Sequence, residues 1–272
     1  MTVKRYIKRL LGALIYSTRL HRLILADRAV VAVFHRIDDR FPGNEVTSST
    51  REFRAYCAFF RRHFRVVSLG ELLARLARGD SVGGHLVITF DDGYKDNVGV
   101  AAAELERRRL PACFFVVTEF IGSARVPWWD AQSAIPPEWM TWDDVRQLHK
   151  RGFEIGAHTM NHADLGKVDG DEAEREITGA RERVRAELGT ETPFFSYPYG
   201  RPEHMSDANR DRVRRAGYRC CLSAYGGTVR APADPFQLKR EPVTPWYTSP
   251  YEYGYEVLWR GPDFRPISPS AA

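Results

Sequence analysis

Two adjacent carboxylates, Asp91 and Asp92, follow directly on the apolar, β-branched run Leu86-Val-Ile-Thr-Phe90, and Gly93 then breaks the strand. Asp-Gly at a strand end is ordinarily a turn signal. Here, however, a second strand-like run, 153–157, ends in His158-Thr-Met-Asn-His162, and a third, 193–197, ends in Pro198-Tyr199-Gly200. Three strands that each deliver polar residues at their C-terminal ends describe an active-site rim. One carboxylate and two imidazoles form a facial set for a divalent metal, zinc being the natural choice, with positions left for water and substrate. Histidines at i, i+4 project to one side of a helical turn, so this spacing can grip one ion. The remaining carboxylate is then free to act as a general base. A metal-bound water, its pKa lowered towards about 7, is a suitable nucleophile for an amide or ester.

Other polar groups carry less. Asp38-Asp39 lies in a loop beside Arg36 and Arg40 and reads as solvated, and Asp143-Asp144 falls in a helix first turn, where the dipole favours acids. His21, His63, His85, His149 and His204 have no partner pattern and read as surface residues. His35 differs: it ends the first strand and should face the rim, either behind the site or in plain packing.

These residues need a scaffold that gathers strand ends. From Ala29 the chain alternates apolar runs with amphipathic ones. Strands are expected at 29–34, 65–67, 86–90, 112–117, 153–157, 194–197, 218–222 and 236–240. Helices are expected at about 50–63, 69–78, 96–110, 141–151, 171–188, 205–216 and 249–259, several with Ser, Asp or Thr in the capping position. Near-continuous apolar strands alternating with helices predict an α/β fold, most simply a closed barrel of seven or eight parallel strands, with the chemistry at the strand C-termini. A flat doubly wound sheet lacks its Gly-rich phosphate loop here. The connection at 121–140 is long for a βα loop and contains Trp128, Trp129 and Trp139. It is expected to lie over the rim.

At 272 residues the chain can hold one barrel-sized domain, placed at 29–260, followed by a proline-rich, poorly ordered tail at 261–272. The net charge of +5 is concentrated at the start: residues 1–28 hold seven Lys or Arg and one Asp. The nearly neutral remainder argues against a nucleic-acid partner. At helical spacing, residues 3–25 put Lys4, Arg5, Lys8, Arg9, Arg19 and Arg22 on one side and Val3, Ile7, Leu10, Leu14, Ile24 and Leu25 on the other. Peripheral contact with an anionic membrane is one reading of this basic amphipathic helix, and a helix closing the bottom of the fold is another. Cys57, Cys113, Cys220 and Cys221 show neither a disulfide framework nor zinc-finger spacing and are expected as reduced, buried thiols.

The motifs resemble those of the polysaccharide deacetylase family, also called NodB-homology or carbohydrate esterase family 4 proteins. Thr89-Phe90-Asp91-Asp92-Gly93 is similar to its first motif and His158-Thr159-Met160-Asn161-His162 to its second. The resemblance runs from about Val30 to Pro245. It implies a deformed (β/α) barrel, Asp91 as catalytic base, and Asp92, His158 and His162 as ligands of a divalent metal, usually zinc. The family's third motif, Arg-x-Pro-Tyr-Gly, has Ser196 in place of arginine before Pro198-Tyr199-Gly200. By resemblance, that loop forms a groove wall and the Tyr199 backbone N–H helps hold an oxyanion. The family's Leu-x-His stands here as Leu238-Lys239-Arg240, with arginine where the acid histidine would be. Arg240 is therefore expected to reach the base from the last strand, and His35 is the candidate proton donor. Both departures resemble the branch of exopolysaccharide and poly-N-acetylglucosamine deacetylases.

The implied activity is metal-dependent removal of N-acetyl groups from amino sugars of a bacterial polysaccharide or lipid-linked saccharide, with Trp128, Trp129 and Trp246 as stacking surfaces. A deformylase or small-amide hydrolase on the same barrel, and a saccharide-binding protein without catalysis, are the alternatives. Cysteine usage and the absence of a cleavage signal lean to the cytoplasm or the inner face of the membrane, with a periplasmic location also open.

Overall fold

Seven short apolar segments alternate the direction of their side chains, and that alternation divides the core in two. They are β1 (Arg28–Phe34), β2 (His85–Phe90), β3 (Cys113–Val116), β4 (Glu154–Ala157), β5 (Phe194–Ser196), β6 (Cys220–Gly226) and β7 (Leu238–Pro242) in the computed structural model, which describes residues 3–41 and 44–259. Each pairs in parallel with the next, and β7 pairs back onto β1, so the sheet closes into a seven-stranded barrel. The expected strand at 65–67 appears as Arg65–Val66, which pairs with the start of β2 but takes no place in the ring. The tail expected at 261–272 lies outside the described residues.

Val31, Val87, Phe115, Cys220, Leu222 and Leu238 point into the barrel. Val30, Ala32, Phe34, Leu86, Ile88 and Phe114 point outward and are covered by helices. The outer ring comprises α2 (Thr50–His63), α4 (Ala102–Arg108), α5 (Trp142–Lys150), α6 (Gly170–Leu188), α7 (Asp207–Arg215) and α8 (Pro250–Trp259). Before them in sequence stands α1 (Val3–Ser17), and α3 (Leu69–Arg78) follows α2. Leu69, Leu72 and Leu73 of α3 join the interior cluster and plug the barrel from below. Glu154, at the foot of β4, accepts from the Leu69 and Gly70 N–H groups at 2.7 and 2.8 Å and anchors that plug. Layers of side chains thus fill the barrel, leaving only its upper end for chemistry. Gly156 on β4 is required by this filling, since a Cβ there would lie 2.4 Å from the Phe115 ring.

Local chemistry sets most helix starts. Ser49 with Glu52 and Thr141 with Asp144 form reciprocal capping boxes, and Ser68 accepts from Glu71 N–H. Asp96 differs from its expected role. It makes no cap bond, and its carboxylate instead accepts from Ile37 N–H at 2.6 Å, so the helix opens as a π-turn over Asn97–Ala101. Four histidines read as surface residues are buried: His21, His63, His85 and His204. His21 and His63 pack with Tyr16, Phe59 and Phe64 in one aromatic cluster, where His21 Nε2 bonds the His63 carbonyl at 3.1 Å.

The N-terminal segment is not one helix over 3–25. It breaks after Ser17, turns through a left-handed Arg19 (φ 63°), and makes one more turn over His21–Ile24. That break lets His21 stack on Tyr16 with ring centroids 4.3 Å apart. α1 does not close the barrel bottom, which belongs to α3. It lies across the first turns of α8, where Gly12 sits against the Tyr251 carbonyl so closely that a Cβ would fall 2.1 Å from that oxygen.

Burial pushes the Asp96 carboxyl up to about 7, despite the Ile37 N–H bond that opposes the rise. The folded chain therefore keeps a proton there that the unfolded chain releases near pH 4, and stability falls as pH rises through that window. Asp96→Asn keeps the acceptor oxygen and removes the titration. Urea unfolding followed from pH 4 to 7 should show a slope of stability on pH more positive than wild type by up to about 1.4 kcal/mol per pH unit. Equal slopes would rule out this linkage.

Candidate active site

The top layer inside the barrel is polar, and its members come from strands far apart in sequence. Asp91 leaves the end of β2, Ser196 ends β5 and Arg240 stands within β7; all three are buried. Arg240 Nη1 donates to Asp91 Oδ1 at 2.8 Å and Nη2 donates to Asp91 Oδ2 at 2.6 Å, a two-pronged pair. Nη2 also reaches Ser196 Oγ at 2.7 Å, Nη1 reaches Thr89 Oγ1 at 3.2 Å, and Nε donates to the Ser223 carbonyl. Burial alone would raise the Asp91 carboxyl, but the Arg240 guanidinium and the neighbouring His158 hold it below the ordinary carboxylate range. Asp91 is thus kept ionised in a dry layer. Arg240 does not line the cleft above; its guanidinium is directed at Asp91 rather than at the open space.

Asp92, His158 and His162 converge beside Asp91, with one ligand atom from each lying within 4.8 Å of the others. Asp92 Oδ1 is 3.5 Å from His158 Nε2 and 3.4 Å from His162 Nε2, and it has no hydrogen-bond partner among the described residues. The His158 Nδ1 atom bonds the Ser196 carbonyl at 2.8 Å, which places the proton on Nδ1 and leaves the Nε2 lone pair facing Asp92. Burial pushes His158 down to about 4, so the imidazole is neutral at physiological pH. A buried anionic oxygen without a donor, facing two imidazole nitrogens, suits a divalent cation.

The histidine pair is not carried on a helical turn. Residues 158–162 form a bent loop in which Thr159 and His162 are left-handed (φ 63° and 59°). Glu176, buried on α6, holds this shape: Oε2 accepts from the Met160 and Asn161 N–H groups at 2.9 and 2.8 Å, and Oε1 accepts from Asn161 Nδ2 at 2.6 Å. From the other side, the Thr159 and Met160 carbonyls accept from Thr118 and Glu119 N–H. Asp92 and Tyr199 are also left-handed (φ 74° and 60°). Non-glycine residues at positive φ cost free energy and persist only where surrounding bonds over-determine them. Here four of them surround one site.

Above this floor opens a cleft of about 400 Å³ lined by His35, Asp91, Asp92, His158, His162, Tyr199, Trp128, Trp129 and Trp246 among others. Pro198 and Gly200 do not line it; they shape the turn beneath Tyr199, where Gly200 N–H reaches the Pro198 carbonyl at 2.6 Å. The Tyr199 N–H has no protein acceptor among the described residues. Trp128 is 72% exposed, and its Nε1 donates to Tyr199 Oη at 3.3 Å. Trp129 is half-buried, packs 4.6 Å from the His162 ring and donates to Tyr94 Oη at 2.9 Å.

The 121–140 connection does lie at the rim, and it is stitched there. Met140 N–H reaches the Gly93 carbonyl at 2.9 Å, Lys95 N–H reaches the Glu138 carbonyl at 2.8 Å, and Trp139 stacks on Tyr94. Its anchor is a buried ion pair between Arg36 and Asp130, with the Arg36 guanidinium 4.0 Å from the Phe41 ring and 4.4 Å from the Tyr94 ring. Sequence reading had no reason to single out Arg36, Asp130 or Glu176. An arginine one residue after the strand-end His35 was the only local sign.

Three substitutions probe this construction. Arg240→Met leaves Asp91 buried without a counter-charge and should cost about 3–5 kcal/mol in unfolding free energy, whereas Arg240→Met with Asp91→Asn should recover part of that loss. Additive losses would show that the two residues do not act as a pair. Glu176→Ala frees the 159–162 loop and should weaken divalent-metal affinity about 10-fold or more, measured by chelator competition.

The comparison with known proteins agrees with this geometry. The family described as polysaccharide deacetylase matches residues 78–221, more than half of the chain. A Bacillus subtilis protein carrying the name polysaccharide deacetylase YxkH is 21% identical over 217 residues, spanning 79% of this chain and 71% of its own. Among solved structures, the deacetylase PplD of Streptococcus pyogenes, in complex with acetate, is similar with a TM-score of 0.71 at 20% identity, over 85% of this chain and 98% of that one. IcaB from Ammonifex degensii gives 0.70 at 22% identity, over 84% and 97%. The two structural likenesses carry the barrel, and the matched segment carries both the Asp91-Asp92 strand end and the His158–His162 loop. This chain belongs to the polysaccharide deacetylase family, as a deacetylase hydrolase.

Proposed function

We propose that the chain removes N-acetyl groups from amino sugars of a bacterial polysaccharide or a lipid-linked saccharide, and that its metal is zinc. One observation carries this reading: an ionised carboxylate, Asp91, stands 3.8 Å from the nearer imidazole of an adjacent Asp–His–His set at the floor of an open cleft. Asp92, His158 and His162 would hold the ion, which when bound supplies Lewis acidity to the amide carbonyl and acidity to a water. Asp91 takes the proton of the attacking water as its oxygen bonds to the carbonyl carbon. Arg240 and Ser196 keep the Asp91 carboxylate turned towards that proton. The Tyr199 N–H, left without a protein acceptor, donates to the oxyanion that develops. His35, on the cleft wall, passes a proton to the departing nitrogen as the carbon–nitrogen bond breaks, leaving acetate and a free amine.

The cleft shape supports a saccharide over a small amide. It is walled by the exposed Trp128 and rimmed by Trp246, indole faces on which sugar rings can stack, rather than closed into a narrow pocket. The complete base and ligand set, held by dedicated buried partners, supports catalysis over binding alone. All four cysteines are free and buried, which suits the reducing side of the inner membrane, where we place the protein.

The test is acetate release from N-acetylglucosamine oligomers and lipid-linked saccharides, with zinc added or chelated. Wild type should release acetate in a metal-dependent way, and Asp91→Asn should lower kcat by about 100-fold or more while still binding zinc. Metal binding without release from any substrate would overturn the proposed acyl group. Trp128→Ala should raise KM for longer oligomers more than for short ones. An equal change across lengths would remove Trp128 from the saccharide path.

A further inference from the structure

The helix that lies across α8 shows the solvent a face opposite to the usual one. On α1, Arg5 and Lys8 turn inward to Glu252 and Glu256 of α8, Arg5 Nε donating to Glu252 Oε1 at 2.8 Å. Tyr16 is buried against Gly254. The outward side therefore carries Val3, Ile7, Leu10 and Leu14, which are 76, 49, 51 and 60% exposed and fall at i, i+4, i+7 and i+11. Leu20 and Leu23, beyond the break, are 45 and 75% exposed. Such a ridge is larger than the scattered exposed leucines of an ordinary surface.

Charge selects what covers it. Lys4, Arg9, Arg19 and Arg22 stand exposed around the ridge and form no ion pair among the described residues, and residues 3–25 contain no acid. Two copies meeting through this face would bring these cations together, whereas an anionic bilayer answers both the charge and the apolar ridge. No helix among the described residues is long and apolar enough to cross a membrane, so the contact is one of lying on the surface. We propose that the outward face of α1, with Leu20 and Leu23, docks this protein on a lipid surface bearing anionic headgroups.

The position of α1 gives the docking a use. Arg5 and Gly12 both reach the first turn of α8, at Tyr251 and Glu252, and Trp246 on the cleft rim is only a few residues earlier in the chain. The docking helix is thus joined, through α8, to the chain segment that carries the cleft rim. A saccharide tethered to the same membrane would then share a surface with the enzyme, and this part of the inference rests on the deacetylase reading.

The test is co-sedimentation of the full chain with vesicles of phosphatidylcholine alone and of phosphatidylcholine with phosphatidylglycerol. Wild type should bind only the second, and raising salt should weaken that binding. Leu10→Ser with Leu14→Ser should weaken it about 10-fold or more, and Lys4→Glu with Arg9→Glu should remove its salt dependence. Acetate release from a soluble oligomer should be unchanged in both variants, so that loss of docking and failure of the deacetylase reading are read separately. Wild type that ignores anionic vesicles overturns the proposal, as does a leucine variant that binds them as wild type does. A leucine variant whose own sedimentation coefficient falls overturns it too, since the ridge then belongs to a second copy.

Discussion

An ionised carboxylate has to be kept inside a dry barrel, and the rest of the site follows from how that is done. Asp91 is buried, and water cannot solvate it from below. The two-pronged Arg240 pair, with Ser196 and Thr89 satisfying further guanidinium N–H groups, replaces that solvation with fixed donors. Buried pairs of this kind are not bargains for stability when weighed against apolar packing. Their value is orientation: both Asp91 oxygens are committed to known directions, and the carboxylate cannot rotate away from the cleft. Ser196 links this arrangement to the metal set, because its hydroxyl meets Arg240 and Asp91 while its carbonyl fixes the tautomer of His158.

The ligand loops are held by a different device. Asp92, Thr159, His162 and Tyr199 all occupy left-handed backbone, and none is a glycine that would do so freely. Glu176 gathers three donors of the 159–162 loop from outside the barrel, and His204 accepts from Arg201 N–H beyond the Tyr199 turn. The strain sits in the loops and the support sits on the helices. That division lets the rim keep an exacting shape while the barrel beneath it stays regular.

Much of the scaffold was legible in the sequence because it depends on near neighbours. Apolar runs of strand length and caps such as Ser68 and Thr141 carry their meaning within a few residues. The Asp91-Asp92 and His158–His162 motifs were legible for the same reason. Long-range charge pairing outside the family motifs was not. Arg36 looked like a loop cation until Asp130, 94 residues away, was brought beside it under Phe41 and Tyr94. The helical turn expected for His158 and His162 failed because residue spacing reports distance along the chain, not the conformation that Glu176 imposes. The facing of α1 was open for a related reason: amphipathic periodicity identifies two sides but does not say which turns inward, and Glu252 and Glu256 draw in the basic one. The expected exchange of the motif arginine for Arg240 rested on the family resemblance, because no spacing in the sequence says that the seventh strand and the second flank the same β1.

Ring closure also has a meaning in time. Asp91 is synthesised with β2, whereas the guanidinium that faces it arrives with β7, 149 residues later. Until then the barrel is an open sheet with an unpaired edge on β1, and the carboxylate faces water rather than a dry layer. No N-terminal portion of the chain can assemble the base in its working state, however well its own strands have folded. Vectorial synthesis therefore delivers Asp92, His158 and His162 first, their supports Glu176 and Ser196 next, and the guanidinium partner of Asp91 last. A chain that stops short of β7 could gather Asp92, His158 and His162 at the strand ends yet would leave Asp91 without the clamp that keeps it ionised.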